Sequence, residues 1–295
     1  MSIETKTEQE AILNEGAIWE PLSPPTDLIF DDGEPLETNR HRIAMNVLIN
    51  SALSALAERS DFFTGGNMFV YYSRTQAMNR DFRGPDFFVV LDVDGSPERQ
   101  GWVTWEEEGR YPDVIIELLS PSTANVDKTV KKTLYERTFR TADYYIYDPF
   151  APQSLEGWHL DAKQRYQPLV ANNRGWLWCE SLGLWLGTWE GSIQREPPTG
   201  TCQWLRFYDL KENLVLLSEE IAEQEQQRAE QERQRAEQER QRAEQEQQRA
   251  EQEQQRAEQE RQRAEQERQR AETAQSRAER LAARLREIGV DPDSV

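Results

Sequence analysis

This sequence is poor in the residues that bind soft metals or staple small folds. It holds two cysteines, Cys179 and Cys202, and two histidines, His41 and His159, in 295 residues. No C-x-x-C spacing occurs, so a thiolate zinc site is excluded, and a chain of this length needs no disulfide framework. The two histidines are too scattered for a histidine metal centre or a hydrolase triad. No apolar run approaches the ~18 residues of a membrane span. The opening MSIETKTEQE has no apolar h-region, so the expectation is a cytoplasmic chain without signal peptide or membrane segment. The G-x-x-x-x-G-K-[ST] phosphate loop is missing as well, which excludes ATP-driven cleavage of nucleic acid by one chain as far as motifs go.

Positive charge is also short, with a formal net charge of −19. Residues 221–280 hold 16 Glu against 13 Arg, so most of the acidity lies elsewhere in the chain. That balance argues against nonspecific gripping of nucleic acid by the whole surface, although a local basic patch remains open. Composition changes sharply near Ser218, from a mixture able to build a core to almost pure Ala, Glu, Gln and Arg. The expected layout is a flexible N-terminus (1–20), a globular domain (21–217), a long charged helix or coiled coil (218–289) and a short tail (290–295).

Prolines punctuate the first 38 residues, including Pro21, Pro24, Pro25 and Pro35. Apolar residues Ile43, Val47, Leu48, Ala52, Leu56 and Ala57 then recur at helical spacing from Asn39 to about Arg59. Met68–Tyr72, Phe87–Leu91, Val114–Leu119 and Tyr144–Tyr147 read as strands, the second and third buried on both faces. Between the last two, Ser122 or Thr123 is placed to cap a helix with Val126, Val130 and Leu134 as its inward stripe. Short aromatic strands follow from Trp158 to Tyr208. The order implies an α/β or α+β domain around one mixed central sheet flanked by helices.

The tail repeats R-A-E-Q-E-x-Q, with alanine at 229, 236, 243, 250, 257, 264 and 271. A strict seven-residue period fits a left-handed supercoil, yet one alanine per heptad is a thin seam. Pairs such as Glu230/Arg233 and Glu232/Arg235 support a lone helix equally well. Leu281, Leu285 and Ile288 form one apolar stripe near the end, and Gly289 is placed to stop the helix. A homodimer through 218–289 and a single rigid helix both stay open.

The chemistry is concentrated between Gly84 and Pro149. Pro85-Asp86 heads one apolar strand, and Glu117 stands inside VIIELL, where a carboxylate is costly unless a cation or hydrogen bonds satisfy it. Lys131 lies one helix turn beyond Asp127, on the element that follows. Two carboxylates offer hard oxygen ligands to Mg²⁺, with Mn²⁺ as a substitute, and an ammonium beside them can stabilise a phosphorane-like transition state. Taken singly, Asp86 also fits a turn cap, Glu117 a partner for a buried arginine, and Lys128, Lys131 and Lys132 a solvated helix face.

The ordered set resembles the Uma-type branch of the PD-(D/E)XK nucleases over roughly residues 20–217. Its carriers are Pro85-Asp86, Glu117-Leu-Leu-Ser-Pro-Ser-Thr123, Asp127…Lys131…Tyr135 and Asp143-Tyr-Tyr-Ile-Tyr-Asp-Pro149. Gly157-Trp158, Leu182-Gly183-Leu184 and the run Leu205–Asp209 resemble the family's later strands. The resemblance implies a restriction-endonuclease-like fold and Mg²⁺-dependent hydrolysis of DNA. Asp86 and Glu117 would hold the metal, and Lys131 would be the catalytic lysine, moved onto the helix because Leu119 fills the usual D/E-x-K position. Lys128, Lys132 and Tyr135 would contact substrate, within a basic footprint that adds Arg83, Arg137 and Arg140. Asp143 stands where the family has glutamate. Glu37 and His41 are candidates for a first-helix acid or histidine, His41 more simply as a structural residue. The alternative is a catalytically silent nuclease-fold scaffold acting through its long helix.

Overall fold

A computed structural model describes residues 25–30, 38–81, 84–193, 196, 199–287 and 289. Expectations for 1–20 and 290–295, for Pro21, Pro24, Pro35, Glu37 and Arg83, and for Ile288 fall outside the described residues. The chain divides into two units between Ile221 and Ala222.

The first helix, α1 (Asn39–Ala55), starts where the Thr38 hydroxyl accepts the His41 N–H, and buries Ile43, Ala44, Val47, Leu48 and Ala52 on one face. It stops at Leu56, short of the expected end, and Ala57 is exposed. Six strands build the main sheet: β1 (Phe62–Gly65), β3 (Phe87–Leu91), β5 (Val114–Leu118), β6 (Asp143–Asp148), β7 (Ala151–Leu160) and β8 (Tyr166–Pro168), in the order β1-β3-β5-β6-β7-β8. Every neighbouring pair is antiparallel except β5 and β6. A parallel pair needs a crossover, and residues 124–139 supply it as helix α3. The expected strand at Met68–Tyr72 shrinks to β2 (Val70–Tyr71), which pairs with β4 (Trp102–Val103) outside the main sheet; α2 (Arg74–Met78) lies between them in sequence. Strand β1 was not expected, because FFTG is short and ends in a glycine pair.

Alternation along the strands sends side chains to two cores. Phe87, Val89, Val114, Ile116, Leu118, Tyr145 and Tyr147 meet α1 and the three-stranded sheet of β9 (Leu177–Cys179), β10 (Leu184–Gly191) and β11 (Cys202–Tyr208). Phe88, Val90, Ile115, Leu119, Tyr144 and Ile146 pack with Tyr135 and Phe139 of α3. Asp143 is buried at the start of β6. It accepts the Ser181 N–H at 2.8 Å and the Ser181 hydroxyl at 2.6 Å, and pairs with His159 Nδ1 at 2.8 Å. It thereby fastens the turn between β9 and β10 to the main sheet.

The long helix α4 (Ser218–Glu287) has 70 residues, about 105 Å at the α-helical rise. Its start is held by Arg206 of β11, fully buried, whose guanidinium donates to Glu220 at 2.7 and 3.2 Å and to the Val215 carbonyl at 2.9 Å. Among the described residues no helix is long and apolar enough to cross a membrane.

Candidate active site

Antiparallel β3 and β5 pair Phe87 with Ile116, which sets the preceding Asp86 beside Glu117 on the α3 face. The two carboxylates are clamped through each other's strands. The Leu118 N–H donates to Asp86 Oδ2 at 2.7 Å, and the Asp86 N–H lies 3.4 Å from Glu117 Oε2. Backbone packing fixes this corner further. The Asn67 N–H donates to the Pro85 carbonyl at 3.0 Å, and a Cβ on Gly66 would come within 2.6 Å of the Asp86 carbonyl oxygen.

Helix α3 approaches with a winding the sequence pattern did not suggest. Two short α-helical stretches alternate with two π turns, Asp127–Lys131 and Tyr135–Phe139. In a regular α-helix residues four apart drift about 40° around the axis. The wider i→i+5 turns offset that drift. The inward row is therefore Asp127, Lys131, Tyr135 and Phe139, whereas the expected stripe fails: Val126 and Val130 are exposed, and only Leu134 is partly buried. The expected cap also moves. Thr123 makes no side-chain cap bond, and the buried Ser120 hydroxyl accepts the Thr123 N–H at 3.2 Å.

This row brings Lys131 Nζ to 3.1 Å from Glu117 Oε2 and 2.8 Å from Asp127 Oδ1. The Asp127 contact is an ion contact, since Oδ1 receives no directed hydrogen bond. The Tyr135 hydroxyl donates to Glu117 Oε1 at 2.7 Å. Glu117 is fully buried and Asp127 nearly so, while Asp86 is half-buried and the Lys131 side chain 17% exposed. Solvent thus reaches the cluster past Asp86 and Lys131.

Burial pushes Glu117 up to about 8; Lys131 opposes the shift, and Asp86 and Asp127 add to it. Burial raises Asp86 as well, again against the pull of Lys131. For Lys131 burial favours the neutral amine, but Glu117, Asp127 and Asp86 together outweigh it and hold the ammonium charged. Three carboxyl groups share one cation in a desolvated corner, which is how pKa values are moved at functional sites.

Among the described residues no group of three or more His, Cys, Asp and Glu side chains is arranged to hold a metal. The donor set is two carboxylates, and it fits Mg²⁺ or Mn²⁺ better than zinc. Mg²⁺ keeps several waters and takes one or two carboxylates together with substrate phosphate oxygens. A divalent cation would also offset the burial that raises Asp86 and Glu117, by favouring their charged forms.

The other expected contacts are distributed differently. Tyr135 is fully buried behind Glu117, so it positions the carboxylate and does not line a substrate path. Lys128 pairs with Glu156 at 3.0 Å, and Lys132 lies 3.6 Å over the Trp158 ring. The Glu156 carboxylate and the Trp158 ring both belong to β7, so neither lysine is paired with Asp86 or Glu117. Arg137 sits 3.5 Å from Glu136, and Arg140 is exposed at the left-handed end of α3. The basic footprint is therefore partly neutralised. His41 places Nε2 3.2 Å from the Leu119 carbonyl and tethers α1 to the end of β5. Asp127, not expected as a site residue, joins the cluster; its i, i+4 spacing to Lys131 was the available signal.

A search among curated proteins gives no match. Among solved structures, one described as "a putative nuclease belonging to DUF820 from Anabaena variabilis ATCC 29413" is similar at 15% identity and a TM-score of 0.37, over 54% of this chain and 86% of that one. A family model described as "Putative restriction endonuclease" matches residues 17–190, the span that carries every residue of the cluster. The chain belongs to the Uma2 family.

Proposed function

We propose that the protein is an endonuclease that hydrolyses DNA phosphodiester bonds with Mg²⁺, or Mn²⁺ in its place. The observation that carries this reading is the convergence of Asp86, Glu117 and Lys131 from three separate elements onto one desolvated point. Asp86 and Glu117 would hold the ion. When bound, such an ion supplies Lewis acidity toward a phosphoryl oxygen and a water acidified toward hydroxide. Lys131 keeps its proton under the influence of Glu117 and Asp127, and offers that charge to the oxygens on which negative charge develops. Tyr135 fixes the Glu117 carboxylate plane through Oε1.

The test is a cleavage assay on single-stranded, duplex and branched DNA with Mg²⁺ or Mn²⁺. Asp86→Asn, Glu117→Gln and Lys131→Ala are each expected to abolish cutting while the fold persists. Cutting that survives in all three variants refutes the assignment. A second reading, a silent nuclease-fold scaffold working through α4, is favoured by the net charge of −19 and the partly neutralised basic footprint. Absence of cutting on every substrate, from folded wild-type protein, selects that reading.

A further inference from the structure

The long helix carries a change of heptad pattern near residue 270. With the repeating alanine set at heptad position a, position g is arginine throughout, from Arg228 to Arg284. Through residue 267 position d is always glutamate, and position e is Arg or Gln. Two such helices paired in parallel would bury Glu against Glu at d. They would also set Arg235, Arg256 and Arg263 at g against Arg240, Arg261 and Arg268 at e of the partner. An antiparallel pair would set g arginines against each other. Moving alanine to d makes glutamate line both flanks and is no better. Like charges at these positions specify against pairing.

Single-helix support takes the place of pairing in this stretch. Arg240 reaches Glu244 at 3.1 Å and Arg268 reaches Glu272 at 3.2 Å, both i, i+4 and both exposed. Gln234 and Gln241 donate to Glu230 and Glu237 at the same spacing. Each pair contributes modestly, but the repeat gives the helix body a uniform charged surface.

Beyond 270 two independent positions change together. Position d becomes Ala274 and Leu281, and position a continues as Ala271, Ala278 and Leu285, so an apolar a/d seam appears for the first time. Position e becomes Gln275 and Ala282, which removes the arginine that repelled g. Leu281 is 57% exposed, so among the described residues nothing covers the seam there. An antiparallel pair would still oppose the g arginines Arg277 and Arg284, so relief of repulsion is specific to the parallel register.

We propose that two copies of the chain join in parallel and in register through the segment 271–287, while the helix body from 222 to 270 stays single. The body then acts as a stiff spacer and the tip as the coupling. The proposal stands on the heptad pattern alone and does not depend on the site being active.

Sedimentation velocity on the full chain, across a hundredfold concentration range, tests it together with disulfide trapping. The wild type is expected to pass from monomer to dimer with concentration. Leu281→Glu/Leu285→Glu is expected to remain monomeric over the whole range, with helix content by circular dichroism unchanged. In a Cys202→Ser background, Leu281→Cys is expected to trap a covalent dimer on oxidation, since d faces d only in a parallel pair. A wild type that stays monomeric throughout overturns the proposal. So does a dimer indifferent to the double substitution, or one that the Leu281→Cys variant fails to trap.

Discussion

Replacing Glu117 by Gln should make stability less dependent on pH, and the size of that change can be worked from the buried corner. The Glu117 carboxyl moves from 4.5 to about 8 on folding, chiefly through burial. Its folded value is the higher, so between these limits the unfolded chain binds fewer protons than the native protein. Stability contributed by this group is full below pH ~4.5, falls as pH rises and levels off above about 8. At about 1.4 kcal/mol per unit, the loss over that window reaches at most about 5 kcal/mol. Glutamine cannot titrate, and the rise at Asp86 comes first from burial, which the substitution leaves in place. The lysine gives no slope here, because its stabilisation is lost only above its unfolded value near 10.5. An amide at 117 also sets an N–H₂ against Lys131 or Tyr135, an offset of about 1–3 kcal/mol that does not vary with pH. The quantity to measure is therefore the difference between variant and wild type, from urea unfolding in chelator at pH 5, 6, 7 and 8. The variant should gain on the wild type by several kcal/mol across the series. A difference flat to within about 0.5 kcal/mol would show Glu117 ionised throughout, and the account of burial overcoming Lys131 would be wrong.

Adding Mg²⁺ at pH 8 should raise the melting temperature of the wild type, since a ligand bound only by the native state stabilises it by mass action; Asp86→Asn and Glu117→Gln should show no such rise in calorimetry. Tyr135→Phe removes the donor to Glu117 Oε1 and should cost about 2 kcal/mol in unfolding experiments, leaving a buried acceptor unmatched. Arg206→Leu strands Glu220 beside a buried surface and should cost about 2–4 kcal/mol, less than a fully buried pair because Glu220 is 26% exposed. Gly66→Ala must push the Asp86 carbonyl or Met45, so about 1–3 kcal/mol of overpacking should come with weakened cleavage, read by unfolding and nicking assays together.

Much of the fold was legible because its buried strands are continuous apolar runs, and the site because a carboxylate interrupts one of them and heads another. Glu117 inside VIIEL declared itself through the cost of burying a carboxylate, and Asp86 through its place at a strand head. The helix face was not legible. Val126, Val130 and Leu134 satisfy a 3.6-residue template, and only the π turns turn that stripe outward in favour of Asp127, Lys131 and Tyr135. Hydrophobic periodicity assumes the winding it is used to detect. The roles of Lys128 and Lys132 were equally hidden, because Glu156 and Trp158 are far away in sequence and reach them only through the β6–β7 pairing.

On the proposed nuclease reading, the lysine on α3 and the unusual winding of that helix have one physical cause. Leu119, where the D/E-x-K pattern places its lysine, is buried on the α3 face among Tyr135, Phe139 and Ile146. With an apolar side chain there, the ammonium beside Glu117 comes instead from Lys131 on the helix that covers that face. A helix row able to hold Asp127, Lys131 and Tyr135 all against Glu117 has to avoid the drift of regular winding. The two π turns do this, and the Tyr144 hydroxyl of β6 secures the first of them by donating to the Asp127 carbonyl at 2.9 Å. That carbonyl also accepts the Lys132 N–H in the i→i+5 bond of the turn. The geometry of the site and the irregularity of α3 are thus a single arrangement: straightening the helix would rotate Lys131 away from Glu117 and return Val130 to the core.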